Sequence, residues 1–139
     1  MKIAIASDHG GFEIKQQLIS HYQNLIDLGC YDNSSCDYPD IAKKMKESIL
    51  NNNAEIGILI CGTGIGISIA ANRYKGIRAA ILYDDFSAQA AKEHNNANII
   101  VFGGRTMGIN DIIKRIDIFL NAQYEGGRHQ NRINKIEEL

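Results

Sequence analysis

The run Ile56-Gly-Ile-Leu-Ile-Cys-Gly-Thr-Gly-Ile-Gly-Ile-Ser-Ile-Ala-Ala-Asn-Arg73 leaves this chain few ways to fold. Ile56 to Ile60 is apolar without alternation, the pattern of a parallel strand covered on both faces. Gly62, Gly64 and Gly66 follow and leave backbone N–H groups unshielded by side chains. A helix of small residues should begin near Ile65 to Ile67. Its N-terminus carries partial positive charge, so the turn reads as an anion cradle. Cys61 stands at the carboxyl end of the strand, where a helix terminus suits a reactive sulfur.

The rest of the chain repeats that grammar. Lys2 to Ser7 reads as a first strand ending in Asp8-His9-Gly10-Gly11, and Phe12 to Tyr22 has helical spacing. Asn24 to Leu28 reads as a second strand, followed by a polar loop from Cys30 to Pro39. Pro39 suits the first turn of a helix that continues to Leu50. Ile77 to Leu82 and Asn98 to Phe102 are expected strands, separated by a helix over Phe86 to Glu93. Gly108 to Asn121 and Arg128 to Leu139 are expected as closing helices. Alternation of this kind predicts an α/β fold: one domain over residues 1–139, a Rossmann-like three-layer αβα arrangement of five parallel strands with a C-terminal helix. Ligands of such sheets bind beyond the carboxyl ends of the strands. A 2-1-3 core order would merge the loops after strands one and three into one crevice. The edge order of strands four and five stays open.

Composition removes several classes of function. The chain has 139 residues, with 15 basic and 16 acidic side chains. That balance offers no basic field for nucleic acid and no polybasic membrane patch. No apolar run is long enough to span a bilayer, and the polar residues close to Met1 do not suit a signal peptide. Three cysteines without a secretory signal point to free thiols in a reducing cytoplasm.

Each motif also has a blander reading. Gly-x-Gly-x-Gly is not the dinucleotide fingerprint, no acid is well placed for a ribose, and no Gly-Lys-Ser/Thr exists for a Walker loop. Asp84 and Asp85 belong to a later unit. Cys61 could be an inert core thiol. Cys30 and Cys36 have no metal-ligand spacing and read as structural. His94 could simply favour the end of a helix dipole, and His21 reads as solvent-facing. Arg128 and Arg132 lie four apart on one helix face, with His129 beside them. Cations at a helix start oppose its dipole, so an anion is expected there, and a phosphate clamp is favoured over a solvated face.

Asp8-His9-Gly10-Gly11, Cys61 to Gly66 with Ser68 to Asn72, His94-Asn95, and Tyr124-Glu125-Gly126-Gly127-Arg128-His129-Gln130 together resemble type B ribose-5-phosphate isomerase. The likeness runs in order over essentially the whole chain. It implies a metal-free, cofactor-free aldose–ketose isomerase of the cytoplasm, a homodimer or dimer of dimers with active sites at the subunit interface. Under it, Cys61 is the base moving a proton between C1 and C2, and His94 opens the sugar ring. Asp8 and His9 bind substrate. Gly62, Thr63, Gly64, Ile65 and Gly66 hold the enediolate. Asn95, Arg105, Arg128 and Arg132 contact hydroxyls or phosphate. An isomerase of allose or galactose 6-phosphate and a non-catalytic nucleotide- or metabolite-binding domain are the alternatives. A thiol redox protein lacks its Cys-x-x-Cys.

Overall fold

The computed structural model describes residues 1–139. Five strands, β1 (Ile3–Ser7), β2 (Ile26–Asp27), β3 (Ile56–Cys61), β4 (Ala79–Ile81) and β5 (Ile99–Gly103), form one parallel sheet in the order β2-β1-β3-β5-β4. The expected 2-1-3 core is present, and β5 lies between β3 and β4. Six helices accompany the sheet: α1 (Phe12–His21), α2 (Tyr38–Leu50), α3 (Ile65–Ala71), α4 (Asp85–Glu93), α5 (Ile109–Asn121) and α6 (Arg128–Glu137).

β3 is buried at every position because both of its faces are covered. Leu59 and Cys61 face the α2 and α3 side, packed with Ala42, Met45 and Ile67. Ile56, Ile58 and Ile60 face the other side with Leu18, Ala88, Ile112 and Phe119. Gly57 has no side chain for a packing reason: a Cβ there would stand 2.5 Å from the Met45 sulfur. β2 and β4 are shorter than their apolar runs suggest. Both are edge strands with one neighbour, and only part of each run finds a ladder partner.

The bland readings hold for several motifs. Asp84 caps α4 by accepting from the Ser87 N–H at 2.7 Å, and that bond holds its carboxyl below the usual range. Asp85 pairs with Lys114 at 2.8 Å. His21 is exposed. The Asn72 side chain bonds both the N–H and the C=O of Ala79, so it acts as a short extension of β4.

Lys15 is a core residue despite its charge. Its side chain is 0% exposed, and its ammonium donates to both Asp27 oxygens at 2.7 and 2.9 Å. Asp27 also accepts from the Gly29 N–H at 2.9 Å, so the pair anchors the loop after β2. Removing one partner strands the other, a change that typically costs about 3–5 kcal/mol when both are buried. Asp27 is partly exposed, so Asp27→Asn is expected to destabilise the chain by about 3 kcal/mol, at the low end of that range. Urea unfolding would show it as a lower midpoint at unchanged slope.

Candidate active site

Three loops meet beyond the carboxyl ends of β1, β3 and β5, and they interlock through backbone. The Asp8 N–H donates to the Ile60 carbonyl at 3.2 Å. Gly104 and Arg105 donate to the carbonyls of Cys61 and Gly62 at 2.8 and 2.9 Å. Glycine is needed where loops touch: a Cβ on Gly11 would stand 2.6 Å from Ile60, and one on Gly104 would stand 2.7 Å from the Gly10 oxygen. The crevice expected from a 2-1-3 order therefore exists, and β5 adds its third wall.

Cys61 is 5% exposed at the end of β3. Gly64, the cap of α3, adopts φ 82°, a conformation that favours glycine. That turn aims the Gly64 N–H at the Cys61 sulfur, 3.1 Å away. The Ile65 N–H is taken by the Thr63 hydroxyl at 3.1 Å. The N–H groups of Gly62, Thr63 and Gly66 have no acceptor within the chain. Of the cradle read from the glycines, two donors thus shape the turn and three are free for a ligand.

Asp8 is nearly buried and caps the short 3-10 turn His9–Gly11, accepting from the Gly10 N–H at 2.9 Å. His9 is exposed, and its Nδ1 accepts from the Cys36 N–H at 3.3 Å. That bond fixes the tautomer and leaves Nε2–H as a donor. His9, Glu13, Gln17, Asn33 and Arg105 line an open cleft of about 430 Å³ beside these loops. Glu13, Gln17 and Asn33 had no motif to mark them. The Cys36 thiol meets the Cys30 thiol and is pushed up to about 11, chiefly by burial, which suits the structural role.

The other expected site residues collect elsewhere. His94 ends α4, its ring stacked on that of His129 with centroids 4.5 Å apart and planes 13° apart. Glu125 Oε1 stands 3.3 Å from His129 Nε2 and 3.8 Å from His94 Nε2. Glu125 thus stands between the two imidazoles and pairs with neither Arg128 nor Arg132. Arg128 and Arg132 stay exposed. Asn95 gives its backbone oxygen to Arg78 at 3.1 Å.

These two groups of residues lie at opposite ends of the sheet. Cys61 pairs with Gly103, the last residue of β5, whereas His94 precedes Ile99, the first. Five residues of strand span roughly 13 Å between their end Cα atoms. One chain brings Cys61 together with Asp8, His9, the glycine turn and Arg105. It brings His94 together with Asn95, Arg128, His129 and Arg132. It does not bring the two sets together.

Similarity to known proteins extends over nearly the whole chain. A family profile described as Ribose/Galactose Isomerase matches residues 3–136. The chain is 42% identical over 142 residues to ribose-5-phosphate isomerase B of Escherichia coli, covering 99% of this chain and 95% of that one. A crystal structure of a ribose 5-phosphate isomerase from Thermotoga maritima superposes with a TM-score of 0.95 at 51% identity, covering 99% of this chain and 98% of that one. Ribose-5-phosphate isomerase B of Mycoplasma genitalium, solved with bound ribulose-5-phosphate, gives a TM-score of 0.89 at 40% identity over 99% and 94% of the two chains.

Proposed function

The chain belongs to the ribose/galactose isomerase family, and we propose that it interconverts ribose 5-phosphate and ribulose 5-phosphate. It is an aldose–ketose isomerase. The observation that carries the mechanism is the group of free N–H donors on Gly62, Thr63 and Gly66 around the Cys61 sulfur.

A carbon acid beside a carbonyl is too weak for a neutral-pH base unless the enediolate is stabilised. Backbone donors already oriented supply that, and losing one such donor typically costs ~10²–10³ in rate. From the open aldose, Cys61 takes the proton at C2. The electron pair moves through the C1–C2 bond onto O1, forming the enediolate. Return of the proton to C1, with transfer of the hydroxyl proton from O2 to O1, gives the ketose. The Gly64 N–H holds the sulfur in place throughout. Asp8 fixes the His9 turn, and His9 and Arg105 present donors to the sugar phosphate from the same chain.

Furanose substrates must open first, which needs a proton on the ring oxygen. Histidine suits that transfer. His94 is too far along the sheet to serve Cys61 of its own chain, which supports a site completed by a second copy. Ile65 and Ile69 lie exposed on α3 beside the glycine turn, apolar surface that a partner would cover. The second copy then supplies His94, Asn95, Arg128 and Arg132, and at least a homodimer is required. No helix is long and apolar enough to cross a membrane. Three free cysteines suit a reducing cytoplasm.

The deciding experiment is a direct assay of the purified protein on ribose 5-phosphate, allose 6-phosphate and galactose 6-phosphate. The pentose should be turned over with the highest kcat/KM. Equal or better use of a hexose phosphate would overturn the substrate assignment. Arg128→Ala and Arg132→Ala should each raise KM roughly tenfold or more, the worth of a charge-assisted hydrogen bond, with kcat little changed. An unchanged KM in both would refute the phosphate clamp.

A further inference from the structure

We propose that His94, Glu125 and His129 form a binding site for a divalent transition cation of the Zn²⁺ type, and that occupancy inhibits the enzyme by withdrawing His94. One ligand atom from each residue lies within 4.8 Å of the others. In a tetrahedral site with metal–ligand bonds of about 2.0–2.1 Å, ligand atoms stand roughly 3.3 Å apart. Glu125 Oε1 and His129 Nε2 are already at 3.3 Å, and Glu125 Oε1 and His94 Nε2 are at 3.8 Å. Two near-parallel rings cannot aim both Nε2 lone pairs at one ion, so the set closes when the exposed His94 ring turns out of its stack on His129.

The chemistry of the donors selects the ion. Two imidazoles and one carboxylate form the donor set of open zinc sites, with a fourth position left for water. Nitrogen donors favour zinc, nickel and copper over magnesium and calcium, which prefer oxygen. The carboxylate offsets part of the ion's charge in a region otherwise crowded by Arg128 and Arg132.

The local fold holds the three together. The Glu125 N–H donates to the Glu93 carbonyl at 3.0 Å, which pins the loop to the end of α4. Gly126 and Gly127 adopt φ 68° and 58°, conformations that favour glycine, and turn the chain into α6 so that Glu125 reaches His129. The His129 side chain is 10% exposed and so is fixed by packing. His94 and Glu125 are 41% and 53% exposed in a single chain, and in the proposed dimer an ion enters by the opening that admits the substrate.

A metal on His94 Nε2 uses the lone pair that would carry a proton to or from the ring oxygen. The inhibitory half of this proposal rests on the ring-opening role given to His94 above; the binding half does not. The test uses the full-length protein, with Zn²⁺ titrated by calorimetry and Co²⁺ by visible absorption. We expect one Zn²⁺ per chain and tetrahedral Co²⁺ bands without the sulfur-to-cobalt charge-transfer band that thiolate ligation gives. Glu125→Gln and His129→Asn should each weaken binding at least about tenfold. Cys30→Ser and Cys36→Ser should leave it unchanged. Binding that survives in both Glu125→Gln and His129→Asn, or a charge-transfer band, would overturn the site. Turnover of ribose 5-phosphate should fall as Zn²⁺ fills the site and return with a chelator. Full occupancy with undiminished turnover would overturn the inhibition, and with it the role of His94, while leaving the binding site established.

Discussion

Cys61→Ala is expected to lower kcat for ribose 5-phosphate by about 10²–10⁴-fold, the usual contribution of a positioned acid–base group. KM should stay close to wild type, because the binding contacts proposed for the phosphate and hydroxyls belong to other residues. The sulfur sits at the end of β3, 5% exposed, with the Gly64 N–H aimed at it from 3.1 Å. No other titratable side chain shares that turn. Asp8 is committed to the Gly10 N–H, and Thr63 to the Ile65 N–H. Cys61→Ser should be almost as impaired, since a hydroxyl cannot supply near neutral pH the anionic base that a thiolate is, although it can accept the same Gly64 hydrogen bond. The pair of variants therefore separates proton transfer from loop geometry. Steady-state kinetics give kcat, and calorimetric titration with ribose 5-phosphate checks that binding persists. Retained turnover in Cys61→Ala would remove Cys61 from the mechanism. Loss of binding in both variants would recast the cysteine as a packing residue of the turn.

The core of the fold was legible because its signals are local. An unbroken apolar run from Ile56 can only be satisfied by cover on both faces, and β3 has it. Pro39 lies in the first turn of α2, and Gly64 takes the left-handed conformation that starts α3. The edges were less legible for a physical reason. β2 keeps only Ile26 and Asp27 because one neighbour stabilises it, and hydrophobic pattern does not report how many neighbours a strand has. Strand order beyond β3 is set by which face each crossover helix covers, and that is not written in any one segment. Lys15 misleads by type. Its place on the inward stripe with Leu18 was readable, but its partner Asp27 comes from another element.

The site was legible as two lists of residues and illegible as one place. Cys61 and His94 each carry a motif, and resemblance puts them on one substrate. The sequence also held the contrary signal. A crossover helix runs antiparallel to its strands, so a residue at the end of α4 must lie near the start of β5. Cys61, at the end of β3, lies at the other pole. Glu125 stands out in the sequence only as part of a motif, because a lone acid beside two glycines carries no chemistry until the fold brings His94 and His129 to it.

That separation yields the second large effect. The Cys61→Ala and His94→Ala variants should each lose most of their activity, by about 100-fold or more for each acid–base group removed. Mixed at equal amounts and allowed to exchange subunits, they should recover about a quarter of wild-type activity. The arithmetic follows from a two-fold interface: half of the dimers are hybrids, and one of the two sites in each hybrid has both residues intact. A site contained within one chain would give no recovery at all, because every chain lacks one of the two groups. The reciprocal mixture is equally discriminating. Wild type exchanged with the double variant Cys61→Ala/His94→Ala should fall to about a quarter, because hybrids then carry one defect in each site. Intrachain sites would leave about half. The two mixtures move in opposite directions from the same geometry, and because unexchanged subunits would mimic intrachain sites in both, hybrid formation is verified by native mass spectrometry of a mass-tagged variant before activity is read. Recovery in the first mixture and loss in the second would establish that Cys61 and His94 meet only across two copies of this chain.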